Sequence, residues 1–231
     1  MSLSRVEPVP ETPRTPKAAQ TRDAILATAL RLFREDGYDR TTMRAVAKEA
    51  GVSLGSAYYY FASKEHLVQA FYDELLGEHQ GAVEDVLARE SGFAARLQGS
   101  LEAWLTVAAP HHAFAAQFFR NAADPASPLS PFSTESAPAR DGSIDLMRRL
   151  LDGSDAKVSR ALHAQLPELL WLLQMGVVLF WVYDASEGQR RTRTLVRGLV
   201  PLVDRLVRMS RLPVLRGVVD DVLALVTSLR A

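Results

Sequence analysis

The chain contains no cysteine. That absence excludes structural disulfides, zinc-finger thiolates and thiol catalysis together. Net charge is absent too: 27 basic residues balance 27 acidic ones, so the whole-chain basic excess that flags a nucleic-acid binder is missing. The longest apolar stretch, 169–183, falls short of the roughly 20 residues of a membrane span and contains Gln174 and Gly176. It reads as a buried helix, and no membrane partner is expected. The opening MSLSRVEPVPETPRTPK has no apolar segment of the secretory kind, so a cytoplasmic location is expected. Alternation of period two and internal repeats of about 20–50 residues are also missing. What is there is a chain of 231 residues, 48% hydrophobic and 23% charged, ample for one large domain or two modest ones.

Prolines punctuate it unevenly. Pro8, Pro10, Pro13 and Pro16 make residues 1–17 an extended, disordered tail in expectation. Pro125, Pro128, Pro131 and Pro138 alternate with Ser127, Ser130, Ser133 and Ser136 between Asn121 and Gly142. A loop of that length is expected to be a lid, a binding loop or simply mobile. Everything else reads as helix, which makes the expected fold all-α. A first helix over 18–36 carries Ile25, Leu26, Ala29, Leu30 and Phe33, with Gly37 as its C′ residue. A short second helix has Met43, Val46, Ala47 and Ala50 at helical spacing, capped by Thr41 or Thr42 and stopped by Gly51. A third begins after Ser53 and ends near Phe61. Ser63 then opens a long fourth with Leu67, Ala70, Phe71 and Leu75 inward.

The two short helices around Gly51-Val52-Ser53 have the proportions of a helix-turn-helix. Its turn requires Gly51, because the residue there needs φ > 0. Ser53, Gly55 and Ser56 leave the start of the third helix bare enough to approach a groove closely. Tyr58, Tyr59 and Tyr60 point about 100° apart on a helix, so they cannot all face one core. At least one hydroxyl reaches solvent or a phosphate.

The stretch 21–76 resembles the TetR family of bacterial transcriptional regulators. The resemblance rests on TRDAILATALRLFREDGYDRTTM and on the AxxAGVSxGxxYYYFxSKExL pattern over 47–67, about a quarter of the chain. It implies an N-terminal three-helix DNA-binding domain over 18–64, with its motif at about 42–61. A larger helical ligand-binding and dimerisation domain would fill 65–231. Carried onto matching positions, Thr42 and Arg44 would touch backbone or a base, Arg44 being able to pair with guanine bidentately. Leu54, Gly55 and Ser56 lie where the family reads bases. Leucine departs from the polar residues usual there, which suggests a thymine methyl contact or no specific contact. Tyr58, Tyr60 and Lys64 would bond phosphates. Ala57 and Phe61 read as core, and Tyr59 as either. The implied partners are a double-stranded DNA operator, a second copy of the chain and a small-molecule effector.

Charge becomes informative once divided by region. Residues 14–64 carry nine basic and five acidic side chains, a net of +4, against −1 for the tail before them and −3 for the rest. Arg5, Arg14 and Lys17 could reach DNA or have no role. Later in the chain, Leu195, Leu199, Leu202, Leu206 and Met209 form one apolar stripe. Val196, Val200, Val203 and Val207 form another beside it. Together with Leu166, Leu170, Leu173, Val177 and Phe180 in the preceding helix, they suggest two helices that pack on their own domain and on a partner. Pro201 should kink or split the later helix. The alternative places the interface on a final helix over 214–229.

Trp104, Phe114, Phe118, Phe119, Trp171, Gln174, Met175 and Trp181 could line an apolar cavity or be plain core. His111 and His112 diverge on a helix and lack HExxH spacing, so no metal and no cofactor are expected. There is no nucleophile–base–orienter set and no glycine-rich phosphate loop, so no enzyme is expected. The expected function is that of a repressor binding a pseudo-palindromic operator and released by a largely apolar ligand. Two rivals stand: a helical binding or scaffold protein with a vestigial helix-turn-helix, and a helical enzyme using His111, His112 or His163.

Overall fold

A computed structural model describes residues 15–124 and 127–212, with 217, 221, 224 and 228 beyond them; the side chains of 116–118, 120 and 121 are outside the description. Arg5, Arg14 and most of the expected tail, Pro125, the Phe118 side chain and most of the expected final helix therefore lie outside the described residues. Those described are helical, with no strand among them, in the order α1 (Pro16–Glu35), α2 (Met43–Glu49), α3 (Leu54–Tyr60), α4 (Lys64–Arg89), α5 (Phe93–Ala108), α6 (His112–Ala122), α7 (Ala137–Asp152), α8 (Arg160–Val182) and α9 (Arg190–Met209). They form two compact units. The first comprises Met1–Glu74 and Ala113–Ser136, the second Leu75–His112 and Ala137–Ala231.

In the first unit α1 starts two residues before the expected point. Thr15 caps it by accepting from Ala18 N at 3.2 Å, and Pro16, which has no N–H to satisfy, fits its first turn. Gly37 follows the helix with φ +87, the left-handed conformation glycine adopts freely. The core is drawn from every helix of the unit: Ile25, Ala29 and Phe33 from α1, Val46 and Ala47 from α2, Ala57 from α3, Leu67, Val68 and Phe71 from α4. Phe114 of α6 completes it, with its ring 6.0 Å from that of Phe33 and 5.8 Å from that of Phe71. The segment expected as a long open loop is instead short and packed. Ala137 already begins α7, and Leu129, Ser130 and Ser136 are buried. Gln69 Nε2 donates to Pro128 O at 2.8 Å and to Ser136 Oγ at 3.1 Å, while the Tyr72 hydroxyl donates to Leu129 O at 3.2 Å.

In the second unit α5 packs mainly on α9, and α7 on α8. Phe93, Leu97, Leu101, Leu105, Leu146, Met147, Leu150 and Leu170 are almost wholly buried there. The Arg96 guanidinium is buried, with no carboxylate paired to it among the described residues, and donates to the Leu87, Glu90 and Leu150 carbonyls, at the ends of α4 and α7. Helix C-termini leave such carbonyls unpaired and favour a cation beside them. Asp184 joins α8 to α9. Burial raises its pKa, but hydrogen bonds from Ser186 and Thr192, with Thr192 N at 2.8 Å, prevail and hold the carboxyl well below the usual range. α9 then runs unbroken through Pro201, so the expected split does not occur. α8 is longer than the apolar stretch predicted it to be. At 23 residues it passes a membrane-span test of length and composition, yet Leu162, Leu166, Leu170, Trp171, Val177, Trp181 and Val182 are buried in this unit.

His79, on the second-unit portion of α4, is 2% exposed and donates from Nε2 to Ser100 O at 2.9 Å. Burial pushes its pKa down, against the pull of that carbonyl, so the folded chain keeps the ring neutral. Above the ordinary histidine pKa of about 6.5 neither state binds the proton; below it the unfolded chain does and the folded chain resists. His79 therefore makes the fold less stable as pH falls below about 6.5. Thermal melts between about pH 7.5 and pH 5 should show a smaller acid-side decline for His79→Gln than for the unaltered chain.

Candidate nucleic-acid interface

Local chemistry builds the α2–α3 turn. Thr42 caps α2, accepting from Ala45 N at 3.2 Å, and Ser53 caps α3, accepting from Ser56 N at 3.0 Å. Gly51 has φ +69. A Cβ there would meet nothing within 4 Å, so glycine is required by backbone conformation rather than by space. Val52 N returns to Ala47 O at 3.0 Å and closes the turn. Ala57 and Phe61, one turn apart, face inward, with the Arg22 guanidinium 5.2 Å above the Phe61 ring.

What remains of α2 and α3 faces outward. Thr42, Arg44, Ser53, Gly55 and Tyr58 are exposed, and Ser56 and Tyr60 are half-buried. Arg44 makes no ion pair among the described residues, in contrast to Arg31, which bridges Glu35 and Glu49 at 2.7 and 3.2 Å. The Tyr58 and Tyr60 hydroxyls are likewise without hydrogen-bond partners among the described residues. At Gly55 a Cβ would approach nothing closer than Ser53 Oγ at 4.0 Å, so packing within the chain does not demand glycine. The bare backbone there suits a close external surface.

Two open readings narrow, those of Leu54 and Tyr59, and the environment of Lys64 differs from the one expected. Leu54 lies three and seven residues before Ala57 and Phe61, on the inward side of α3, and is half-buried. Its packing favours the reading with no specific base contact. Tyr59 is the most exposed of the three tyrosines at 58%, against 47% for Tyr58, and its ring meets Tyr60 edge-on at 5.1 Å. Lys64 is turned inward: its Nζ donates to Tyr38 O at 2.8 Å and lies 4.3 Å from the Tyr38 ring centre. The Tyr38 hydroxyl in turn donates to Glu65 at 2.9 Å. Lys64 thus ties the start of α4 to the α1–α2 loop.

The candidate sensor residues do not form one set. Phe114 belongs to the first-unit core described above. Trp104, Trp171, Gln174 and Trp181 are buried in the second unit, and Met175 is half-buried. His112 Nε2 donates to Trp181 O at 2.8 Å, which uses that ring in packing. The candidate interface residues also divide. Val177 is 1% exposed and therefore core of its own unit, not interface. Val196, Val200 and Val207 of α9 are buried with it. Leu173, Leu195 and Leu199 are half-buried, whereas Phe180, Leu202 and Leu206 stand 43%, 53% and 67% exposed. Sequence reasoning passed over Leu172, Leu179 and Tyr183, which continue the exposed apolar face of α8. Their signal, a second stripe at helical spacing in an otherwise apolar helix, was hidden because every side of α8 is apolar.

An all-α chain with a capped helix-turn-helix and a separate helical unit is the architecture of a DNA-binding regulator. The profile of bacterial regulatory proteins of the tetR family matches residues 25–71, and that of the tetracyclin repressor-like C-terminal domain matches residues 96–225. The chain belongs to the TetR family, whose members are transcription regulators and not enzymes. It is 34% identical over 98 residues to the HTH-type transcriptional repressor KstR2 of Mycolicibacterium smegmatis, an alignment covering 41% of this chain and 47% of that protein. It is 43% identical over 75 residues to the HTH-type transcriptional regulator TtgR of Pseudomonas putida, covering 32% and 33%. The chain thus spans half or less of the curated relatives it matches. Its fold is like that of a TetR transcriptional regulator from Nitrosomonas europaea (TM-score 0.61, 19% identity, 79% of this chain and 97% of that one). It is also like that of the fatty acid degradation regulator FadR from Bacillus halodurans (TM-score 0.58, 20% identity, 79% and 97%).

Proposed function

We propose that the chain is a cytoplasmic, homodimeric repressor that binds a pseudo-palindromic operator and is released by a small, largely apolar effector. The observation that carries the DNA reading is the outward face of α2 and α3, where Arg44, Gly55 and Tyr58 are exposed and without partners in the surrounding fold. Two such faces, related by a two-fold axis, would enter successive major grooves about 34–36 Å apart. The exposed leucines of α8 and α9 supply the apolar surface for pairing. The effector acts by binding the released state better than the DNA-bound state, and its differential affinity limits the shift. Selection of duplex fragments by the purified chain, followed by titration at several salt concentrations, tests the reading. Phosphate contacts release counterions, so affinity for the selected duplex should fall steeply with salt. A helical binding protein with a vestigial motif would select no sequence and show no such slope.

A further inference from the structure

Gln174 Oε1 and Trp181 Nε1 are buried in side chains only 2% exposed, and neither has a hydrogen-bond partner among the described residues. Gln165 Oε1 shares that state in a half-buried side chain nearer the start of α8. Gln174 and Trp181 are seven residues apart, so they lie on one face of α8, about 10 Å apart along its axis. Their neighbours on that face, Leu166, Leu170 and Val177, are apolar and buried. The Gln174 oxygen in such a stripe loses its water without regaining a bond among the described residues, a cost that leucine would avoid. Trp181 is held firmly: its ring meets Trp104 at 5.2 Å and His112 at 4.7 Å, both edge-on, and its carbonyl is bonded to His112. The indole N–H is therefore fixed in place with no acceptor among the described residues.

We propose that Gln174 and Trp181 are the two polar ends of the effector site, and that the effector is a neutral molecule with an apolar body, a hydroxyl at one end and a hydrogen-bond acceptor at the other. This rests on the reading of the second unit as the sensor. The hydroxyl meets the Gln174 amide; because it both donates and accepts, it suits either amide atom. The acceptor takes the Trp181 N–H. A body of two rings spans the separation, and Trp104 and Trp181 offer it aromatic surface. Neutrality follows from the partners, since both orphaned groups are uncharged.

Four biphenyls test the site by calorimetric titration of the full chain: unsubstituted, with a para hydroxyl, with a para nitrile on the far ring, and with both. The doubly substituted compound should bind about tenfold more tightly than either singly substituted one. Gln174→Leu should abolish the gain from the hydroxyl alone, and Trp181→Phe the gain from the nitrile alone. Gln174→Leu should also melt no lower than the unaltered chain, because it removes an unsatisfied amide; a purely structural glutamine would give a lower melting point. Should Trp181→Phe not fold, the series on the unaltered chain and on Gln174→Leu decides. Equal affinities for all four compounds, no binding, or a hydroxyl gain that survives Gln174→Leu would overturn the site. Salt-dependent DNA binding beside such a failure leaves the regulator reading intact. Selective biphenyl binding that leaves DNA affinity unchanged confirms the site and sinks effector release.

Discussion

Arg44→Ala should weaken binding to the selected duplex by roughly 5- to 150-fold, the worth of about 1–3 kcal/mol for a bidentate contact to a base. The size of the loss follows from what Arg44 lacks. It is exposed at the start of α2 and spends no hydrogen bond within the described fold, so its removal leaves the fold's own contacts intact. Discrimination should relax at one base pair of each half-site, which competition with singly substituted duplexes would read. Tyr58→Ala should act differently. In the proposed complex its hydroxyl meets a phosphate, which carries no sequence information, so affinity should fall by a similar factor for matched and mismatched duplexes alike. Gel-shift titration at fixed salt measures both, with circular dichroism to confirm that the helices persist. Unchanged affinity would remove the substituted residue from the interface.

Leu206→Glu should convert the dimer to a monomer. Leu206 is 67% exposed and Leu202 53%, on a different side of α9 from Val196 and Val200, which are buried. A two-fold interface uses each surface residue twice, so one substitution places two carboxylates in the same apolar patch. Removing two charges from water without partners costs several kcal/mol, which raises the dimer dissociation constant by at least about a hundredfold. Sedimentation should then report the 25.5 kDa chain rather than twice that mass. Operator affinity should fall with it, because a monomer holds one half-site only. Val207→Ala, buried at 5% exposure in the same helix, is the contrasting control: it should lower the melting temperature and leave the dimer assembled. A Leu206→Glu chain that still sediments as a dimer would move the interface elsewhere, to the segment over 214–229 among other candidates.

Much of the reading head was legible because its determinants are local. The need for φ > 0 at Gly51, the cap at Ser53 and the inward pair Ala57 and Phe61 are set by residues within one or two helical turns. Lys64 was misread for the opposite reason. Its partner is a carbonyl 26 residues away, at Tyr38, and no spacing rule reaches that far. The loop before α7 failed similarly: its serines and prolines signal a turn, but the bonds that hold it come from Gln69 and Tyr72 on α4. In α9 the apolar periodicity was plain and in α8 the apolar character was, yet neither names the partner of a face. Val177 and Leu206 look alike in the sequence and differ only once the fold decides which side is inward. Gln174 is the reverse case, a polar residue visible in the sequence whose meaning depends on its Oε1 having no partner among the described residues.

Phe114, stacked on Phe33 and edge-on to Phe71, bears on how portable the reading head is. The chain passes between the two compact units three times, at 74/75, 112/113 and 136/137. The first unit is therefore discontinuous in sequence: its core is finished by an aromatic ring, and its α4 flank by a serine turn, that are synthesised only after α5. An engineer who cut the gene after α4 and fused the piece to a foreign sensor would leave a hole beside Phe33. The transplantable piece is not a prefix of the chain. It is a prefix together with the excursion 113–136, and a chimera that respects that boundary must interrupt the donor sensor once and join the pieces at three junctions.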